Sequence, residues 1–235
     1  MLFNRKAKAV ITAILGAAVV ATTVVGFSLA YLTDQGSKTN YFTFVNANED
    51  NTLSADVTEP SYDPDTALNL VPGSVVPKDP QVENTSTSAT DEWTAIQVIF
   101  EGLTPDSANP GQSVTTVLTP AQVELLMKVI TIDWNTADWT ADANVTSQYA
   151  NGAIYYYNST IAPGDSTNPL FTSVTVNADA SNADLAAVAS FLSDGLNIRI
   201  AGAATQSDQT DQATAQTTLY NLLTDTANGG QAIIN

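Results

Sequence analysis

Beyond residue 40 the apolar residues come in short β-branched or aromatic runs, fenced by clusters of Pro, Gly, Asn and Asp. Runs of this kind predict strands over 41–47, 52–57, 81–84, 93–100, 114–118, 129–134, 153–158, 171–176 and 196–202. Many short strands with turn signals between them argue for a sandwich or a barrel. A period of about 3.6 residues breaks in three times. Thr119 and Pro120 open a helix over 121–128, with Thr119 as N-cap and Pro120 at the first helical position. Ser181 or Asn182 caps a second over 185–192, which puts Leu185, Val188 and Leu192 on one face before Gly195 stops it. A third, from about 211 to 223, turns Ala215, Leu219 and Leu222 or Leu223 inward. Each helix reads as a cover for a sheet edge or end, and none carries a catalytic pattern. Val71-Pro72-Gly73 and Ala162-Pro163-Gly164 suit turns in which proline fixes its φ and glycine takes a positive one. Pro64, Pro72, Pro77 and Pro80 make 61–80 an extended connection or an edge.

The first thirty residues obey a different pattern. Arg5, Lys6 and Lys8 precede an uncharged run from 9 to 30, closed by Ser28-Leu29-Ala30 ahead of Tyr31. Small residues at Ser28 and Ala30 fit the shallow pockets of a signal peptidase, so the chain is expected to be exported with Tyr31 as its new N-terminus. The run also approaches the ~20 residues that span a bilayer, so an uncleaved anchor stays open. The expected division is a signal peptide over 1–30, an N-terminal arm over 31–48, a sandwich domain over 49–227 and a loose tail over 228–235. Within the domain, 107–151 reads as insertion-like.

Charge sharpens this picture. All 24 acidic residues lie beyond Ala30, whereas three of the seven basic ones lie before it; residues 31–235 thus set four positive charges against 24 negative ones. A surface of that sign repels nucleic-acid phosphates and anionic lipid. Neither is an expected partner, and the membrane is met only through the signal segment. The chain has no cysteine and no histidine, which excludes disulfides, thiolate chemistry, Ser-His-Asp machinery and histidine-ligated zinc. No enzyme activity, metal or cofactor is expected.

Several local features invite a chemical reading. Tyr155-Tyr156-Tyr157 alternates faces on a strand, which favours packing over a sugar platform. Trp134 and Trp139 read as buried or as subunit contacts. Asp63 and Asp65 lack the glycine and terminal glutamate of a calcium loop, and read as turn chemistry. Asp91-Glu92 and Glu49-Asp50 read as solvated loop charges, and Lys78 as a surface charge rather than a crosslinking lysine. Asn84, Asn144 and Asn158 begin chance glycosylation sequons.

The order of motifs carries a resemblance. Ala30-Tyr31-Leu32-Thr33-Asp34 is followed by Asn40-Tyr41-Phe42-Thr43-Phe44, Lys78-Asp79-Pro80-Gln81-Val82-Glu83-Asn84, Tyr155-Tyr156-Tyr157-Asn158, Ala162-Pro163-Gly164-Asp165-Ser166-Thr167 and Pro169-Leu170-Phe171. The chain resembles the TasA/camelysin family, whose members use a SipW-type signal peptidase and build extracellular biofilm fibres. The resemblance implies a jelly-roll-like sandwich whose subunits join head to tail by donor-strand complementation. The candidate donor strand is Tyr41, Phe42, Thr43, Phe44 and Val45, which alternates with period two. The partner would be the chain itself, with the peptidase acting during export. The metalloprotease activity described for some members does not carry over to a histidine-free chain. The resulting expectation is a mainly β secreted structural subunit, and the alternative is a monomeric adhesin or carbohydrate-binding module held by an uncleaved N-terminal helix.

Overall fold

The computed structural model describes residues 39–41 in their backbone, and then 54–67, 70–87, 89–208, 210–226 and 230–235. Its spine is a pair of long antiparallel strands, β5 (Glu92–Pro105) and β11 (Gly195–Gln206), in register from Glu92↔Gln206 to Leu103↔Gly195. On the far side of β5 lie β6 (Ser113–Val117) at one end and β9 (Ala153–Tyr157) with β8 (Trp139–Ala141) at the other. The short strand β1 (Thr39–Tyr41) joins the outer edge of β11. Two smaller sheets complete the sandwich. One runs β3 (Val75–Pro77), β10 (Ser173–Val176), β7 (Ile130–Ile132); the other pairs β2 (Ala55–Thr58) with β4 (Gln81–Asn84).

Both faces of the large sheet are covered, which explains why β5 departs from simple alternation. Ile96, Val98, Phe100, Ile198 and Ile200 point into the main core with Val57, Val76, Val82, Val174 and Phe171. On the reverse face Ala95, Ile154, Tyr156, Ala201 and Ala203 pack beneath Leu219 and Leu223 of helix α3 (Gln212–Thr224). Residues 94–102 are therefore buried without a break, the pattern of a strand covered on two sides. Close approach sets the small residues of β11. A Cβ on Gly202 would stand 2.4 Å from Val57 Cγ2 of β2.

The remaining helices are α1 (Pro120–Val129) and α2 (Asn182–Ala189), which pack on each other. Their starts follow the sequence. Thr119 and Gln122 form a reciprocal capping box with Pro120 just inside, and the Ser181 hydroxyl accepts from the Asp184 amide. Asp211 caps α3 in the same way, accepting from the Thr214 amide. The fold class expected from the sequence, a mainly β sandwich with a few short covering helices, is the fold class found. The expected signal helix lies outside the described residues.

The region 107–151, read as insertion-like, contributes Val123, Leu126, Val129, Ile130, Ile132 and Trp139 to the main core. One expectation needs correction: residues 230–235 are not loose. The buried Gln97 side chain donates to the Gln231 carbonyl at 2.5 Å and accepts from its amide at 3.2 Å. Ile234 exchanges backbone bonds with Asn151, and the Asn235 amide side chain caps the 144–147 turn. A buried polar side chain must find partners, and residues 231–235 supply them.

Asn151 closes the sheet where β9 and β6 leave a gap along β5. Its Oδ1 accepts from the Phe100 amide, and its Nδ2 donates to the Phe100 and Leu118 carbonyls, each at 2.8 Å. One side chain thus stands in for a missing piece of backbone ladder.

Candidate assembly edge

A strand at the end of a sheet offers unpaired amides and carbonyls, which natural proteins usually cover. Among the described residues, β11 is in that position over residues 195–200, where β1 does not reach. Thr39, Asn40 and Tyr41 run parallel to it, paired with Ala201, Gly202 and Ala203. Among the described residues no strand pairs with the outer edge of β11 over residues 195–200. Of the candidate donor residues only Tyr41 is described, in β1; Phe42, Thr43, Phe44 and Val45 lie outside the described residues, as do Ser28, Ala30 and Tyr31. The parallel pairing shows that a β11–N-terminal ladder is geometrically feasible, with its small residues Ala201, Gly202 and Ala203 at the contact.

Just ahead of β2, Ser54 sits in a dense polar corner. The Ser54 amide donates to Ser86 Oγ at 2.8 Å, and its carbonyl accepts from the Thr85 amide at 2.8 Å and from Ser86 Oγ at 3.2 Å. Thr85 Oγ1 donates to Ser54 Oγ. Asn84 braces the loop, accepting from the Ser86 amide and donating to the carbonyls of Thr90 and Ile161. Beneath all of them lies Glu92, whose Oε1 is 2.5 Å from Ser86 Oγ. Glu92 is fully buried, and its Oε2 meets no hydrogen-bond partner among the described residues. Burial pushes its carboxyl up to about 7, against the opposing pull of its bonds to Ser86 and Ser54. The reading of Asp91-Glu92 as solvated charges is therefore corrected for Glu92. Strand alternation turns it inward, while Asp91 stays half-buried and accepts from Thr160 Oγ1.

The two motifs most responsible for the family resemblance form one hydrogen-bonded unit. Residues 78–84 and 161–172 zip together through Thr167 N–Val82 O, Val82 N–Thr167 Oγ1, Asn84 N–Asp165 O, Gly164 N–Asn84 O, Leu170 N–Pro80 O and Lys78 N–Thr172 O. Their role is architectural. Lys78, read from sequence as a surface charge, is 2 % exposed. Its Nζ lies 2.6 Å from Glu59 Oε1 and 4.8 Å from the Tyr62 ring centroid, while Asp79 accepts from the Ser61 amide. A buried cation is tolerable only with such partners.

The other singled-out residues behave as packing and turn groups. Tyr155 and Tyr157 face the main core and Tyr156 the α3 side. Trp134 stacks on Tyr155 at 5.1 Å, and Trp139 packs on Tyr157. Tyr156 donates to Asp142 at 2.6 Å. Asp63 accepts from the Asp65 amide in an exposed turn. Asn84 is buried, whereas Asn144 and Asn158 are exposed. Sequence reasoning missed the corner around Glu92; its one readable signal was the β-branched and aromatic run over 93–100 that begins just after it. No family model, curated protein or solved structure matches the chain.

Proposed function

We propose that this chain is a secreted structural subunit of an extracellular fibre, joined head to tail by a strand that each copy lends to the next. Tyr31 would be its first residue after signal removal, and the outer edge of β11 would be the acceptor. The carrying observation is the parallel ladder of Thr39, Asn40 and Tyr41 on Ala201, Gly202 and Ala203, at a sheet edge with no other strand on it over 195–200 among the described residues. A strand held by an edge in its own chain can be held by the same edge of a neighbour, which is the logic of domain swapping. Main-chain bonds would supply affinity, and the heterologous contact need not close.

The test uses the natural absence of cysteine. Two variants of residues 31–235 are prepared, one with Thr39→Cys and the other with Ala201→Cys, and mixed under oxidising conditions. Exchange in trans gives a disulfide between the two, and negative-stain microscopy of the unaltered chain gives filaments. Discrete particles without a mixed disulfide would refute the reading and favour a monomeric surface module.

A further inference from the structure

Strand β6 pairs with β5 on one side, and no other described strand pairs with it. It reads Ser-Val-Thr-Thr-Val, with no charge, no proline and no bulge, the devices that keep a sheet edge from pairing with another chain. Other described edges are shorter or guarded: β3, β7 and β8 have three residues each, Pro77 ends β3, and Asp56 sits on β2. Ser113, Val114, Thr115 and Thr116 are all exposed, Val114 at 44 %, so both faces of β6 are open to solvent.

The ladder to β5 fixes which backbone groups of β6 are left to pair outward. The Leu118 amide donates to the Phe100 carbonyl at one end, and the Asp106 amide to the Gln112 carbonyl at the other. Between them the register runs from Glu101↔Val117 to Pro105↔Ser113. Bonded pairs alternate in an antiparallel ladder. Gly102↔Thr116 and Thr104↔Val114 are therefore the bonded pairs, and the amides and carbonyls of Ser113, Thr115 and Val117 point away from β5. Pro105 stands at an unbonded pair, so its missing amide costs this ladder nothing.

That outward row fits the same row on a second copy. Set antiparallel about a two-fold axis at Thr115, Thr115 meets Thr115 and Ser113 meets Val117, a register that uses every outward amide and carbonyl of the strand. Val114 then lies beside Thr116, a β-branched pair on the open face. Charge selects the direction. Asp194 accepts from Ser113 Oγ at 2.7 Å and Asp106 follows Pro105, so the Ser113 end is acidic. At the other end Glu101, opposite Val117, is held by Arg199 at 3.0 Å. A parallel in-register pair would bring both acidic ends together, whereas the antiparallel pair sets each beside the other copy's Glu101–Arg199 pair.

We propose that β6 is a self-recognition edge, at which two copies of this chain join β6 to β6, antiparallel about a two-fold axis, and continue the large sheet from one molecule into the next. Five residues a side fall short of the ~1,000 Å² that a stable interface needs, so a lone pair is weak and reversible. The contact is isologous, unlike the head-to-tail junction, and stands without it. Where both operate it ties filaments side by side, and repetition along them multiplies the weak pairs.

Single cysteines in residues 31–235 map the contact, since the chain has none of its own. Thr115→Cys should form an intermolecular disulfide about tenfold faster than Val114→Cys, because paired Thr115 Cα atoms stand ~5.5 Å apart while Val114 faces Thr116. Mixed Val114→Cys and Thr116→Cys chains should crosslink as well. Thr115→Pro removes an amide that β5 does not use, so it should keep the urea midpoint and slow that mixed crosslink about tenfold. Thr115→Cys no faster than Val114→Cys would overturn the edge, as would a folded Thr115→Pro chain that crosslinks at the unaltered rate. Fastest self-crosslinking at Val114→Cys would show parallel pairing and overturn it too. If Thr115→Pro misfolds, the cysteine map decides alone. Thr115→Cys disulfides without Thr39→Cys to Ala201→Cys disulfides keep this edge and remove the fibre reading; the reverse pattern removes this edge.

Discussion

Replacing Asn151 by Ala should cost the fold about 3–5 kcal/mol, because it would leave several buried backbone groups unpaired at ~1–3 kcal/mol each. Asn151 is fully buried, and its side chain serves the Phe100 amide, the Phe100 carbonyl and the Leu118 carbonyl, all at 2.8 Å. It also accepts from the Gly152 amide. Truncation to Ala removes these partners, while the Phe100 carbonyl keeps its bond from the Leu118 amide, so the sum sits below the additive limit but well above an exposed-site change. Asn151→Asp separates donor from acceptor. It keeps the bond from the Phe100 amide but turns a carboxylate toward two carbonyls, so the loss should shrink as acid protonates the introduced carboxylate. The assay is urea unfolding of residues 31–235 followed by tryptophan fluorescence, with an unchanged slope and a lower midpoint expected. A loss under about 1 kcal/mol for Asn151→Ala would refute the idea that one side chain replaces a stretch of ladder, since that is the range of a single ordinary hydrogen bond.

Three further outcomes follow from the same geometry. Lys78→Met should cost about 3–5 kcal/mol by leaving Glu59 charged and buried, and the Lys78→Met/Glu59→Leu pair should cost less than that single change; unfolding midpoints read it, and a loss below ~1 kcal/mol would place the pair with ordinary surface bridges. Gly202→Ala drives a methyl to 2.4 Å from Val57 Cγ2, so it should destabilise by about 1–3 kcal/mol, and Val57→Ala in the same chain should recover part of that; no recovery would mean that backbone strain, not this contact, sets the glycine. Since residues 31–235 carry four basic against 24 acidic residues, polymer growth by light scattering should accelerate from ~0.01 M to ~0.15 M salt as the Debye length falls from ~30 to ~8 Å; growth that slows with salt would put attraction between charges at the junction.

Local signals carried what local chemistry decides. Thr119-Pro120 with Gln122 announces α1 because an N-cap satisfies amides a few residues away, and Gln81-Val82-Glu83-Asn84 reads as a strand because it alternates. β8 escapes a sequence reading, and β3 shows there only as part of an extended connection or edge over 61–80; both have three residues. Each is defined by its partner across the sheet, and Pro77 fits only because β3 is an edge. The polar residues that matter most are illegible for one reason. Lys78, Glu92, Gln97 and Asn151 look like surface groups until Glu59, Ser86, Gln231 and Leu118 arrive from elsewhere in the chain. Burial of a polar side chain is a tertiary fact, and its cost is offset only by partners that sequence spacing does not reveal.

The arm itself poses a quantitative question, because the same edge can be filled in cis or in trans. Only residues 42–54 separate β1 from β2, and a short tether holds its end at an effective concentration of about millimolar. At micromolar protein, a trans ladder identical to the cis one would lose by about 4 kcal/mol, the thousandfold concentration ratio expressed as free energy. Polymerisation therefore needs contacts that the cis arrangement lacks. The stretch of β11 over 195–200, where no described strand pairs with the outer edge, is placed to supply them, at ~0.5–1.5 kcal/mol for each added backbone bond. On this argument about three to eight extra bonds are required, and the trans ladder must extend past Ala201 toward Gly195 rather than repeat the three cis pairs. Cysteine pairs mixed in trans can map this: Tyr31–Lys38 positions should crosslink to 195–200 in polymer and not in monomer. Polymers that grow at micromolar concentration with crosslinks confined to the Thr39–Tyr41 register would show that some other surface supplies the missing free energy.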